Sequence, residues 1–388
     1  MTRMKTRTRI LSSIGRSPDG NPFSGWLYSN LTPDIELHWF DWRTALFGRY
    51  EVFHLHWPEY LFGTSSSLLK TGAKALLAFA FLGRLTLSRT PVIQTVHTRE
   101  PYEAVGRITR IQTQLLRRRT AFSIFLNESP ENDLERGCVI LLGRYEAPTN
   151  HSARRMPGTR VLFFGLLRAY KGIEELLEAF RELEDDALTL SIMGMATKSE
   201  YGRTVSELAS MDPRVELTMR RVDDDELSDA LAHANLVVLP YRTMYNSSAL
   251  LLSIDHLVPV LATNSPSNVA IQREVGGDWL RLFDGRITPT ALRAVLDSVG
   301  AQAVHGVNAP DLSRRDWRTI GRLHSELFRY AAATPLRLRR VQTLGRRLRA
   351  NVEASQSFGN HSRMNLPGDE AGPDITEPSA PNAKAPKV

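Results

Sequence analysis

The chain has 388 residues, more than one ordinary core holds, so two domains of about 150 residues plus extra segments are expected. With 42% hydrophobic and 23% charged residues it has the composition of a soluble globular protein, and a single cysteine, Cys138, excludes an intramolecular disulfide framework and agrees with a cytosolic setting. The net charge of +7 is concentrated, because residues 335–352 hold six arginines and no acid; a whole-protein argument for nucleic acid is therefore weak, and none is expected as a partner.

In chain order, the first half reads as strands at Arg9–Ser13, Val52–His56, Val92–His97, Phe122–Asn127 and Val139–Leu142, with helices over Ser66–Leu82 and Gly106–Arg119. The basic start is followed by Ile10–Ile14, too short and polar for a signal-peptide core, and the apolar stretch Ala75–Gly83 falls well short of a membrane span. Residues 146–157 are polar, carry Pro148 and Pro157, and read as a domain boundary. The second half reads as strands at Val161–Gly165, Leu188–Met193, Val215–Met219, Leu236–Pro240 and Pro259–Ala262. Its helices are expected over Gly172–Glu184, Ser199–Met211, Asp224–Ala234, Ser247–His256 and Pro289–Val299, with a late helix over Arg314–Ala332.

Strands alternating with helices predict parallel sheets, and two such series predict an α/β chain of two doubly wound, Rossmann-like domains. The expected units are residues 1–150 for an acceptor, 151–312 for a nucleotide sugar, 313–334 as a helix packing back on the first domain, and 335–352 as a basic amphipathic segment. Residues 353–388, rich in Pro, Gly, Asn and Ser with little apolar content, are expected to be a disordered tail.

The most informative stretch follows Val161–Phe164. That apolar run stops at Gly165; Arg168 and Lys171 follow three residues apart, then Gly172, and a helix opens with Ile173, Leu176, Leu177, Phe180 and Leu183 on one face. A strand, a glycine-bounded turn carrying two cations and a helix N-terminus make a pocket for a diphosphate. A second strand, Leu236–Pro240, leads through Tyr241 to Ser247, Ser248 and Ala249 at another helix start. The two serines either cap that helix or donate to a phosphate, and one diphosphate held between both helix starts would use both.

Together these motifs resemble the nucleotide-sugar domain of GT-B glycosyltransferases, particularly family 4 and related bacterial exopolysaccharide transferases, over about residues 159–299. The resemblance implies a GT-B fold, two Rossmann-like domains facing a cleft, and a metal-independent hexosyltransferase with no cofactor beyond its nucleotide-sugar co-substrate. It implies transfer to a hydroxyl of a glycan or lipid-linked saccharide in bacterial polysaccharide or glycolipid synthesis. Arg168 and Lys171 stand where the family places the Arg and Lys that hold the donor diphosphate. Gly165, Tyr241 after Pro240, the Ser247-Ser248-Ala249 helix start and Pro259-Val260-Leu261-Ala262 complete that donor site. Many family members also carry two glutamates flanking this helix start. Met244 and Leu252 occupy those places here, so the stereochemical outcome cannot be inherited.

In the first domain, His97 ends a predicted strand and is the expected catalytic residue, suited by its near-neutral titration to a sugar hydroxyl. His54 and His56 alternate with Leu55 and share a face, but no acid or cysteine completes a metal-ligand set beside them, and no metal is expected. Glu59, Glu100 and Glu103 are alternative bases, and Gly20-Asn21-Pro22-Phe23 is similar to an acceptor-side loop. The arginines of 335–352 interleave with Leu336, Leu338, Val341, Leu344 and Leu348, which suits peripheral contact with an anionic membrane surface from the cytoplasm. Arg107, Arg110 and Arg117 to Arg119 form a second basic stretch. A nucleotide-sugar epimerase on the same fold, or a non-catalytic membrane- or nucleic-acid-binding relative, are the alternatives.

Overall fold

The structure, a computed structural model, describes residues 7–14, 22–62, 68–98, 106–145, 159–305 and 309–333. The expected boundary at 146–157, Gly20 and Asn21, Glu100 and Glu103, and the segments 335–352 and 353–388 lie outside the described residues.

Two six-stranded sheets form, and every strand pair is parallel. The first holds β1 (Thr8–Ser12), β2 (Ile35–His38), β3 (Val52–Leu55), β4 (Val92–Val96), β5 (Thr120–Phe125) and β6 (Gly137–Val139), in the order β2-β1-β3-β4-β5-β6. The second holds β7 (Thr159–Phe164), β8 (Leu188–Met193), β9 (Val215–Thr218), β10 (Leu236–Leu239), β11 (Val260–Thr263) and β12 (Leu280–Phe283), in the order β12-β11-β10-β7-β8-β9. The central strands β3 and β10 are buried at every residue, as parallel strands covered by helices on both faces must be.

The connecting helices are α1 (Pro22–Ser29), α2 (Trp42–Phe47), α3 (Pro58–Leu61), α4 (Leu68–Leu87) and α5 (Arg107–Arg119) in the first half. The second half carries α6 (Ile173–Arg181), α7 (Ser199–Ser210), α8 (Asp224–His233), α9 (Ser248–Asp255), α10 (Pro266–Val275) and α11 (Pro289–His305), and the described chain closes with α12 (Trp317–Ala333). β2, β12, α1, α2, α3 and α10 have no counterpart among the elements expected from the sequence. β2 and β12 are edge strands with one neighbour each, so they need no continuous apolar run. β6 covers Gly137–Val139 and so meets the expected Val139–Leu142 at Val139 alone, although Ile140 N and Leu142 N still donate to the Phe125 and Leu126 carbonyls, and α4 continues past Leu82 to Leu87 because Gly83 faces solvent and interrupts nothing.

Each sheet reverses its winding once. After β7 the chain adds β8 and β9 on one side and then crosses to place β10 on the other, which puts a switch point between the ends of β7 and β10. The first sheet does the same between β1 and β3. At such points the loops diverge and leave a crevice beyond the carboxyl ends of the strands, which is where doubly wound sheets bind ligands.

The last helix does not stay with the second sheet. α12 packs on α1, β1 and β3. Ser325 Oγ accepts from Thr32 N at 3.0 Å, and Arg329 pairs with Asp34 at 2.8 Å. Just before it, the fully buried Arg315 donates to Glu274 at 2.6 Å and to the Leu142 carbonyl at 2.9 Å, and Trp317 Nε1 donates to the Arg144 carbonyl at 2.7 Å. The two halves are thus joined through a buried ion pair, and removing one partner would leave an uncompensated charge at a cost of about 3–5 kcal/mol.

Candidate active site

At the end of β7 the chain turns through Gly165 at φ 110° and leaves the turn through Gly172 at φ 66°, conformations a side chain would strain. A Cβ on Gly165 would sit 2.9 Å from Lys171 Nζ, and one on Gly172 would sit 2.1 Å from the Pro240 carbonyl oxygen. The first glycine therefore makes room for the lysine, and the second lets the turn lie against the end of β10. Arg168 precedes a single 3-10 turn, Ala169–Lys171, and Lys171 ends it, so both cations come from one side of the switch point.

Lys171 is buried, with Nζ 4.9 Å from the Tyr241 ring centre and 5.7 Å from that of Phe163. Among the described residues it has no acidic partner. Burial first, and then the neighbouring Arg168, pull its ammonium down to about 8. Arg168 Nε is likewise sealed from solvent without a hydrogen-bond partner. A buried cation lacking a counter-charge is costly, and Lys171 with the half-buried Arg168 beside it forms a site that an anion would stabilise.

The opposite wall is the start of α9. Of the two roles open to Ser247, the structure shows the cap: its hydroxyl is buried and accepts from Leu250 N at 3.2 Å, and it also meets the Tyr241 hydroxyl. Ser248 is exposed and hydrogen-bonds the Tyr145 hydroxyl, while Ala249 is half-buried. The Ser248 and Ala249 amides are the first of α9 and have no acceptor within the helix. Tyr241 is buried beneath Lys171 and supports it through its ring face. Arg242, next to it, faces away and binds Glu175 at 2.8 Å, holding that carboxyl below the usual range although burial works to raise it. Glu175 is thus the one acid that α6 turns inward. Met244 is buried with Sδ 3.0 Å from Asn268 Nδ2, and Leu252 packs against the core.

The first sheet contributes a different kind of site. His54 and His56 do share a face, and both reach the buried Tyr28 hydroxyl on α1, at 3.0 and 2.9 Å. His56 Nδ1 lies 2.9 Å from His97 Nε2, and His54 Nε2 lies 2.9 Å from Thr95 Oγ1. His324 of α12 lies against His54 with ring centres 6.0 Å apart. Trp57, held at φ 37°, stacks on His97 at 3.9 Å, and Phe23 meets the same ring edge-on at 4.9 Å. Burial drives His97 down to about 3 and His324 to about 4, and pushes His54 and His56 well below their ordinary value, so all four rings are neutral. Although four histidines converge, among the described residues no group of three His, Cys, Asp or Glu is placed to hold a metal ion.

Neutral imidazoles carry one N–H each, so the orientation of the Tyr28 hydroxyl sets the tautomers of the rings that follow it. With Tyr28 donating to Ser12 Oγ, 2.8 Å away, its oxygen accepts from His56 Nε2, His56 Nδ1 accepts from His97 Nε2–H, and His97 Nδ1 is left as an acceptor. With the hydroxyl turned to His56 instead, the order reverses and His97 Nδ1 carries the hydrogen.

The two sides meet directly. Asn246, in the loop before α9, donates to the His97 carbonyl at 3.0 Å. Asn127, just after β5, donates to the Tyr245 carbonyl and to Asn246 Oδ1, each at 2.9 Å, and Tyr245 donates to Asn132 at 2.6 Å. The structure therefore brings His97 within one residue of the loop that starts α9. Tyr28, Asn127, Asn132 and Asn246 were not singled out in the sequence, and only the His54–His56 alternation hinted at this network. Glu59 lies on the four-residue α3 and takes no part in these contacts.

Residues 158–294 match the family described as glycosyl transferases group 1. Two GDP-mannose:glycolipid 4-beta-D-mannosyltransferases of Xanthomonas campestris pv. campestris are each 37% identical to the chain over 319 residues, covering 82% of it and 90% of the relative. Among solved structures, Anabaena Alr3699/HepE in complex with UDP superposes with a TM-score of 0.54 at 13% identity, covering 90% of this chain and 100% of that one. A glycosyltransferase from Rickettsia africae ESF-5 gives 0.50 at 12% identity, covering 91% of this chain and 98% of that one. The structural likenesses show the GT-B fold, and the sequence likeness, extending over most of both chains, decides for a transferase rather than an epimerase: the chain belongs to the group 1 glycosyltransferases and is a hexosyl-transferring enzyme of the GT-B fold.

Proposed function

We propose that the enzyme transfers mannose from GDP-mannose to a hydroxyl of a lipid-linked saccharide, with inversion at the anomeric carbon. The donor and the acceptor class follow the mannosyltransferase relatives. The observation that carries the site assignment is the buried Lys171, without an acidic partner among the described residues, beside the half-buried Arg168 at the switch point.

In this reading Arg168, Lys171 and the Ser248 and Ala249 amides hold the diphosphate and neutralise the charge that grows on it as the glycosidic bond breaks. Gly165 and Tyr241 shape and support the lysine, and Ser247 fixes the helix start. His97 Nδ1 takes the proton from the attacking hydroxyl. Its low proton affinity rises once the anionic diphosphate is near, since a neighbouring negative charge favours the imidazolium. The sugar of GDP-mannose is α-linked, so the β-product made by the relatives requires inversion. A single displacement needs a base on the acceptor side and no carboxylate nucleophile, which is consistent with Met244 and Leu252 at the places of the paired glutamates. The enzyme would act at the cytoplasmic side, with the arginines of 335–352 adding membrane contact.

Incubation with GDP-mannose and a bacterial lipid-linked saccharide, followed by β-mannosidase digestion of the product, tests this. A β-linked mannose is expected. An α-linked product, or transfer from UDP-sugars alone, would contradict it.

A further inference from the structure

α5 is built inside out. The face it turns to the protein carries Thr109, Gln112, Thr113 and Leu116, and the Thr113 hydroxyl there has no hydrogen-bond partner. The face it turns to solvent carries Ile108, 53% exposed, Ile111, 51% exposed, and Leu115, flanked by Arg107, Arg110, Arg117 and Arg118. An amphipathic helix of a protein bounded only by water would be oriented the other way.

α4 lies alongside and repeats the pattern. Gln112 Nε2 donates to the Ala75 carbonyl and Arg119 to the Leu85 carbonyl, each at 3.1 Å, which ties the two helices together on one side of the first sheet. α4 buries Ala78, Phe81, Leu82 and Leu85, yet its opposite stripe is apolar as well, with Leu76 72% exposed and Phe79 and Leu87 also open to solvent. Neither helix contains an acidic residue, and Arg107, Arg110, Arg117 and Arg118 of α5 are exposed, whereas Arg84 of α4 turns to the Ala45 and Gly48 carbonyls. Among the described residues no helix is long and apolar enough to cross a membrane, so this surface is a face and not a span.

We propose that the outer face of α4 and α5 is the surface by which this enzyme lies on an anionic lipid bilayer. The combination of residues selects that occupant. Phosphate groups alone would use the arginines and leave the isoleucines and leucines stranded. A second copy of the same face, or the arginine-rich 335–352 segment of this chain, would bring like charges together. An interface of anionic headgroups above acyl chains uses both, with arginines at the headgroups and Leu76, Ile108 and Ile111 below them. Connectivity places the cleft nearby, because α5 starts on the side where β4 ends and His97 stands. An acceptor anchored in the same leaflet would therefore present its sugar at the cleft mouth, a consequence that rests on the glycolipid reading above.

The experiment is vesicle flotation of the full chain, comparing phosphatidylcholine with an equal mixture of phosphatidylcholine and phosphatidylglycerol. One variant joins Leu76→Gln, Ile108→Gln and Ile111→Gln; a second joins Arg110→Gln, Arg117→Gln and Arg118→Gln; a third changes the six arginines of 335–352 to glutamine. All changed helix positions are exposed, and thermal melting confirms that folding is kept. The wild type should float only with the anionic vesicles. The arginine variant should lose about fivefold in partition per charge removed, about a hundredfold in all. The apolar variant should lose at least about tenfold, and the 335–352 variant should keep most of its binding. Wild-type flotation by both helix variants would overturn the proposal. So would loss of flotation in the 335–352 variant alone, wild-type flotation on neutral vesicles, or a wild-type dimer on light scattering that the helix variants dissolve. Heat of GDP binding, measured on the same variants, should be unchanged. Absence of that heat in the wild type would count against the donor assignment and leave the flotation result standing.

Discussion

The ends of the two sheets are opposites. Beyond β7 and β10 lies a cationic pocket made from backbone turns and two side chains, Arg168 and Lys171, that have charge to spare. Beyond β1, β3 and β4 lies a chain of neutral imidazoles, His324, His54, His56 and His97, joined through Tyr28 and carrying no net charge. The contrast suits the reaction proposed. The donor brings negative charge, which must be matched, while the acceptor brings a proton, which must find one nitrogen in a defined tautomer.

The largest expected effect separates the two regions by acid. A histidine in the unfolded chain titrates near 6.5, whereas in the fold His97 holds out to about 3, His324 to about 4, and His54 and His56 lie well below the ordinary value. The unfolded state therefore binds more protons as pH falls through 6.5 toward 4. The stability present above 6.5 is lost across that window at about 1.4 kcal/mol per pH unit for each histidine. Urea melts between pH 7 and pH 5 should show this slope, and His324→Leu should reduce it by about one proton. A slope unaffected by that change would mean that the imidazole cluster is not what the acid attacks.

Next in size is the catalytic role. His97→Ala should lower kcat by about 10²–10⁴ while GDP binds as before. If GDP affinity falls with kcat, the two regions are not chemically separate and the comparison fails. The smallest effect sharpens the donor side. Burial pulls the Lys171 ammonium down to about 8, and a bound diphosphate would hold its proton above that. GDP binding at mildly alkaline pH should therefore take up a fraction of a proton, seen as different heats in two buffers, with affinity falling by up to about tenfold per pH unit above 8. Lys171→Met should abolish the buffer dependence.

The two regions were also unequally legible in the sequence. The donor side is local: a strand, Gly165, two cations, Gly172 and a helix follow one another within one segment, and each carries its own signal. The reading of Ser247 and Ser248 left two roles open because a cap and a phosphate donor use the same residue types, and only coordinates show which hydroxyl Leu250 N meets. The acceptor side is assembled from distant pieces. Tyr28 meets His56 across 28 positions of sequence, Asn246 meets His97 across 149, and His324 arrives on a helix that follows the second sheet. No periodicity announces such contacts. The edge strands β2 and β12 were missed for a related reason, since a strand with one partner and a half-wet face carries only a weak apolar pattern. The basic stretch of α5 was visible as charge, but that its apolar residues point outward is a property of the packing alone.

The central claim is that Arg168 and Lys171 hold the donor diphosphate, and calorimetric titration with GDP tests it most directly. The wild type should bind, and Arg168→Ala and Lys171→Ala should each weaken binding by about tenfold to a hundredfold, the value of a charge-assisted contact. Equal affinity in the wild type and both variants would contradict the claim and move the donor site elsewhere.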